Sequence, residues 1–211
     1  MLELINGLSL SYPALAIYLA LGILSFLALA VTFVKLLQFA KLGVGRHAKA
    51  EAVIETWLDG RAEDAYRQAG RRQTVTVRVL QATFTGLDER PEDPRFAEEL
   101  ARQSALLEMN AVTGRMRVLE GIVQTAPMLG LLGTVIGMIE AFGTLSQAQG
   151  AIDPTLFAGG IYVALTTTAI GLTVAIITYT LTAMLQGRID REKQTIEALV
   201  SMAINGRVGG D

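Results

Sequence analysis

The residues best placed to do chemistry sit where charge is otherwise scarce. No Lys or Arg occurs between Val118 and Gly187, yet Glu140 lies there, in the run Gly137-Met138-Ile139-Glu140-Ala141-Phe142. An acidic group at the centre of a membrane helix costs about 2.5–3.5 kcal/mol on insertion scales, so it marks a functional position by default. Glu140 lies seven residues beyond a midpoint near Gly133, about 10 Å of a half-thickness of about 15 Å. A simply hydrated carboxylate near the outer interface is the competing reading, and the functional one is preferred. Hydroxyls accompany it: Thr134 in the same apolar run, and Thr166-Thr167-Thr168 in the next. Successive helical positions point about 100° apart, so three threonines cannot all be satisfied by one neighbour. They either line a polar passage or bond back to the carbonyl one turn earlier, and the pattern leaves both readings open.

Small residues surround these groups. Gly130, Gly133 and Gly137 recur at i, i+3, i+7, a smooth face on which another backbone can approach closely. Ala164, Thr168, Gly171 and Ala175 make a matching face at i, i+4, i+7, i+11. A short loop joins the two runs, so they are expected to be antiparallel neighbours. Pro127 removes a backbone hydrogen bond and is expected to kink the first of them.

The elements that hold these groups follow from the charge map. The 211-residue chain is 51% hydrophobic, with a mean hydropathy of +0.42 and 18% charged residues. A soluble surface carries roughly 25–35% charged residues, spread over every helix. Here all 18 Lys and Arg fall within Lys35–Arg117 and Arg188–Arg207. A bilayer core of about 30 Å needs about 20 apolar helical residues, and three such windows exist. The expected layout is an external N-terminal segment at 1–13, a first span at 14–37 and a cytoplasmic helical region at 38–117. A second span at 118–147, an external loop at 148–155, a third span at 156–186 and a cytoplasmic tail at 187–211 complete it. Lys and Arg flank the spans on one side only, which places the N-terminus outside. No basic n-region precedes the first apolar run, so a cleaved signal peptide is not expected. The fold class is therefore all-α: an integral membrane protein with three transmembrane helices and helical cytoplasmic extensions.

Within residues 38–117, helices are expected near Ala50–Leu58, Ala62–Ala69 and Thr74–Phe84. Asp93-Pro94 reads as a helix start, with Pro at the first helical position. Nothing before Pro127 clearly stops that helix, so one long helix is expected to rise into the second span.

Several functions are excluded or disfavoured. A net charge of −2 gives no basic patch for nucleic acid. Zero cysteines exclude disulfides, thiolate nucleophiles and Cys-ligated metals. The single histidine, His47, lacks partners at metal-ligand spacing and reads as a solvated residue beside the membrane. No phosphate-binding or nucleophile motif occurs, so neither an enzyme nor a cofactor or metal site is expected.

Thr-Ala-Pro-x-x-Gly-Leu-x-Gly-Thr-Val-x-Gly from Thr125, and Ala-Leu-x-x-Thr-Ala-Ile-Gly-Leu from Ala164, resemble the MotA/TolQ/ExbB proton-channel family. The likeness is closest to the TolQ/ExbB branch and specific over about residues 121–186. It implies a homopentamer in the bacterial inner membrane, whose second and third helices line a central pore. A dimer of an ExbD/TolR-like single-span partner would occupy that pore, each copy carrying protons on an intramembrane aspartate. By motif position Thr134 and Thr168 match the pore threonines, with Thr167 beside them. One departure stands out: relatives usually carry a glutamate where this chain has Val163, and many have asparagine where it has Glu140. The carboxylate is expected to keep its depth and change helices. The function implied is a channel-forming subunit of a motor driven by proton-motive force. A sodium-driven motor of the same fold and a non-conducting oligomeric scaffold are the alternatives.

Overall fold

A computed structural model describes residues 12–71, 74–147 and 154–206, and among them every regular element is helical. The seven helices are α1 (Tyr12–Leu42), α2 (His47–Leu58), α3 (Ala62–Arg71), α4 (Val75–Glu89), α5 (Pro94–Thr113), α6 (Met116–Gln147) and α7 (Pro154–Asn205). Three stretches, within α1, α6 and α7, are long and apolar enough to cross a membrane. The expected external segment lies outside the described residues apart from Tyr12 and Pro13, as does the 148–155 loop apart from Pro154 and Thr155. The described part of the expected tail is not separate: α7 continues to Asn205 and stops at Gly206, whose φ is +76°.

The chain forms two compact units, residues 1–33 with 115–182, and residues 34–114 with 183–211. In the first, α1, α6 and α7 meet around Ile17, Leu21, Ala126 and Ala175. Leu19, Ile23, Phe26 and Phe33 of α1 point outward and exposed. Such an apolar exterior suits lipid contact, since lipid gives no hydrophobic penalty for exposing it.

The second unit has a core that water exclusion can build. Ala50, Val53 and Ile54 of α2, Ala65 and Ala69 of α3, and Val77, Leu80 and Phe84 of α4 close on Leu199 and Ala203 of α7. Trp57 stacks on Phe84 at 4.2 Å between ring centroids, and Tyr66 meets both rings edge-on. Burial pushes the Tyr66 phenol above its ordinary pKa. The expected turns appear as read. Gly60 takes a φ of +76° after Asp59, and the Thr74 hydroxyl accepts from the Val77 N–H to start α4. Pro94 opens α5, although the Asp93 carboxylate makes no capping bond. Helices α4 and α5 pack as a pair, tied by Arg78 to Glu108.

Two expectations need correction. The long helix running from Pro94 into the second span is broken at Gly114 and Arg115, where Arg115 adopts a φ of +67°. A left-handed non-glycine residue costs about 1–2 kcal/mol. Side chains from α1 offset that cost by capping the freed carbonyls. The Lys35 ammonium, fully buried, donates to Val112 O at 2.6 Å, and Gln38 Nε2 donates to Ala111 O at 2.8 Å. A cation at a helix C-terminus is favourable electrostatically. The second correction is His47, which is not a freely solvated residue. Its imidazole is half-buried, with Nδ1 4.0 Å from the buried Glu192 carboxylate.

Gly86 on α4 has no room for a side chain against the neighbouring backbone, since an added methyl would lie 2.6 Å from Ala97 Cα. Gly86→Val should therefore force α4 and α5 apart and cost about 1–3 kcal/mol. Thermal unfolding of the purified chain in detergent measures it, with Gly70→Ala, where nothing lies within 4 Å, as the matched control.

Candidate ion pathway between the second and third spans

Backbone proximity builds this site. A methyl added at Gly130 would lie 3.0 Å from both the Thr167 carbonyl oxygen and Thr168 Cα. One at Gly171 would lie 2.7 Å from the Ala126 carbonyl oxygen, and one at Gly137 2.8 Å from the Ala164 methyl. At Gly133 the obstruction is the Thr167 side chain. Ala141 and Gly160 extend the seam toward the C-terminal end of α6, a pair not singled out from sequence, where a methyl added at Gly160 would meet Ala141 Cβ at 2.9 Å. The sequence placed Thr168 on the small face of α7. The structure instead seats Thr167 there, 1% exposed, and moves Thr168 to its edge. Ala175 joins Ala126 in the apolar cluster at the opposite end of the same seam. Helix α6 passes through Pro127 as one continuous element.

These contacts fix an antiparallel register. Gly130 faces Gly171, Gly133 faces Thr167, Gly137 faces Ala164, and Ala141 faces Gly160. In that register Thr134 and Thr168 differ in level by about one residue, roughly 1.5 Å. Glu140 comes level with Ile161, and Val163 with Met138. The carboxylate is therefore within about 3 Å of the depth of Val163.

The register also assigns sides. On α6, Ala126, Gly130, Gly133, Gly137 and Ala141 point at α7, and about 100° per residue turns Thr134 to one flank of that stripe. Glu140, six residues on, is turned about 120° from Thr134, to the opposite flank. Leu129 and Ile136 share Glu140's flank and pack against the cluster of Ile17, Leu21, Ala126 and Ala175, to which α1 contributes. On α7, Thr168 falls on the flank of Thr134, and Val163 on that of Glu140. There the Tyr18 hydroxyl of α1 donates to the Val163 carbonyl at 3.5 Å. Thr134 opens onto a shallow apolar depression shared with Val135, Met138, Ile139 and Phe142. The four residues read together from sequence thus divide into Thr134 with Thr168, Thr167 in the seam, and Glu140 beside the first span. Spacing along one strand of sequence cannot reveal that division, because it depends on which face of each helix is covered.

The hydroxyls are engaged as donors. Thr134 donates to Leu131 O at 2.6 Å, Thr166 to Tyr162 O at 2.7 Å and Thr167 to Ala164 O at 2.6 Å. Thr168 crosses the seam to Gly130 O at 2.9 Å. A threonine oxygen whose proton is committed keeps its lone pairs, so Thr134 and Thr168 present acceptors on their shared flank. Such oxygens can take a hydrogen bond from water, from a protonated carboxyl group, or coordinate a small cation. Among the described residues no group of three or more His, Cys, Asp or Glu is arranged to hold a metal ion.

Three membrane-length helices, two of them packed along a glycine seam, together describe a polytopic helical membrane protein. Residues 71–198 match the MotA/TolQ/ExbB proton channel family. The chain is 38% identical over 152 residues to a biopolymer transport protein ExbB homolog of Methanothermobacter thermautotrophicus, covering 72% of this chain and 52% of that protein. It is 31% identical over 180 residues to a biopolymer transport protein ExbB-like 1 of Synechocystis, covering 82% and 65%. A shorter match, 45% over 62 residues, covering 29% and 26%, links it to biopolymer transport protein exbB1 of Vibrio cholerae. The chain belongs to the MotA/TolQ/ExbB proton channel family, on its ExbB-like side. It spans between about a quarter and two thirds of the length of these relatives.

Gly130→Val should separate α6 from α7 and cost about 1–3 kcal/mol by overpacking. Gly121→Val, on the same helix with nothing within 4 Å, should carry no such penalty. Thermal unfolding of the two variants in one detergent compares them directly.

Proposed function

We propose that this chain is the channel-forming, stator-type subunit of a motor in the bacterial inner membrane, driven by proton-motive force. In this reading it assembles as a homopentamer around two copies of an ExbD/TolR-like single-span partner, whose intramembrane aspartates carry the protons. Its N-terminus is outside, and the second unit faces the cytoplasm, as the one-sided Lys and Arg distribution favours. The output is transport across the envelope or mechanical work, in keeping with the biopolymer transport named for its relatives.

The observation that carries this reading is the level placement of Thr134 and Thr168 on one flank of the seam, each hydroxyl proton already committed to a carbonyl. A protonated aspartate moving past them finds acceptors and no competing donors. One charge crossing about 100 mV releases about 2.3 kcal/mol, so work is extracted in repeated steps. Five identical acceptor pairs around two helices cannot all be engaged at once, and that mismatch favours stepping over a single locked state. Glu140 supplies the carboxylate that Val163 does not, at nearly the same depth and on the same flank.

Proton flux into vesicles reconstituted with the partner tests the assignment. Thr134→Val and Thr168→Val should each lower flux by about tenfold or more, equivalent to about 1.4 kcal/mol or more in the barrier, with assembly intact. No flux from the unsubstituted assembly would instead support a scaffold, unchanged flux in assembled variants would remove Thr134 and Thr168 from the route, and flux that follows sodium at fixed pH would support a sodium motor. Glu140→Gln should lower flux similarly. Adding Val163→Glu to Glu140→Gln should restore it, because the two positions share depth and flank.

A further inference from the structure

The ends of α1 and α7 in the second unit carry the same short pattern at the same level. Glu192 of α7 is buried, and its Oε2 accepts from the Gly45 N–H at 2.7 Å, in the turn after α1. The residues joined are 145 apart at the Tyr18–Val163 bond and 147 apart here, so α1 and α7 run in the same direction. One helical turn back from the pinned point stand Lys41 on α1 and Arg188 on α7, both exposed. A second turn back stand Leu37 and Met184, exposed as well. A cation is therefore level with a cation, and an apolar side chain with an apolar side chain, to within about one residue or 1.5 Å. Each helix shows the pattern on one face. Val34, Leu37 and Lys41 follow i, i+3, i+7, and Met184, Arg188 and Arg191 follow i, i+4, i+7.

These cations lack counter-charges. Among the described residues, Lys41, Arg46, Arg188 and Arg191 enter no ion pair. Glu192 commits both oxygens inside the unit, one to Gly45 and the other to the Thr76 hydroxyl. Asp190 is turned about 120° around α7 from Met184 and accepts from Gln186 instead.

We propose that the adjoining ends of α1 and α7 form a site for an anionic phospholipid, with its phosphate at Lys41 and Arg188 and its acyl chains along Leu37 and Met184. Charge complementarity selects this occupant. A phosphodiester supplies the negative charge that the four cations lack, and unpaired basic clusters beside a membrane span recognise anionic lipid in this way. The arginine fork fits phosphate oxygens in pairs, and the lysine adds a compact point charge. A zwitterionic lipid brings its own ammonium group and gains less. A soluble anion answers the cations but leaves Leu37 and Met184 uncovered. With the orientation proposed above, the leaflet is the inner one. The site itself requires neither that orientation nor the channel reading.

Native mass spectrometry of the full chain in mild detergent, titrated with phosphatidylglycerol or with phosphatidylcholine of identical acyl chains, reads the site. Phosphatidylglycerol should bind more tightly, by about fivefold or more. Lys41→Gln combined with Arg188→Gln should lower its affinity about 25-fold, near fivefold for each charge removed, and weaken phosphatidylcholine far less. Arg61→Gln combined with Arg67→Gln removes the same charge from ion-paired residues at α3 and should change neither affinity. Equal binding of the two lipids would overturn the proposal, because no headgroup is then selected. An equal loss in the Arg61 and Arg67 variant would overturn it too, leaving only diffuse attraction. If the Lys41 and Arg188 variant does not fold, Arg188→Gln alone decides, with a loss of about fivefold expected. Neither partner nor proton flux enters this measurement, so the lipid site and the channel assignment fail separately.

Discussion

The closeness of α6 to α7 is the constraint from which the rest of the membrane unit follows. Five glycines and two alanines leave little side chain to hold the backbones apart, so the Gly130 carbonyl comes within reach of the Thr168 hydroxyl. Lipid offers helices no hydrophobic reward for associating, so van der Waals contact and interhelical hydrogen bonds must supply the attraction. That contact also removes rotational freedom. Once Gly133 sits against Thr167 and Gly137 against Ala164, the facing of every other residue on both helices is determined. Two hydroxyl oxygens are thereby turned to one side, and the carboxylate to the other.

The second unit solves the complementary problem, of binding polar helices together where water is available. An aromatic trio and a ring of small aliphatics give it a core in the ordinary sense, built from four helices including the end of α7. Among its buried polar groups, Lys35 and Glu192 take partners from distant segments. Lys35 reaches 77 residues to Val112, and Glu192 reaches 116 to Thr76. Losing one member of such a set leaves the other buried without compensation, which is why these contacts specify the arrangement more strongly than their number suggests.

Much of this was legible in the residues themselves. The absence of Lys and Arg from two windows located the spans, and glycine spacing identified the face of α6 that meets α7. Asp59-Gly60 and Asp93-Pro94 marked helix ends through local backbone chemistry alone. What escaped sequence reasoning had a common cause. Thr167 and Thr168 are neighbours on a helix of 3.6 residues per turn, and only the partner's position decides which lies in the seam. Gly114 alone did not mark a break, because the groups that cap the end of α5, Lys35 and Gln38, lie far away in sequence. His47 read as solvated because Glu192, its neighbour in space, is 145 residues distant along the chain. The likeness to ExbB relatives pointed to Thr134 and Thr168. It could not show that Glu140 stands on the far flank from them.

Lys35 has a second meaning in the order of events during synthesis. Its acceptor, Val112, is 77 residues away, so the ammonium cannot be capped when the first span emerges and must remain hydrated. In that interval it is one of the basic residues on whose one-sided distribution the proposed orientation rests. Only when α5 is complete does folding withdraw the charge from water. One side chain thus acts first as an address, read by the membrane, and then as a fastener, read by the protein.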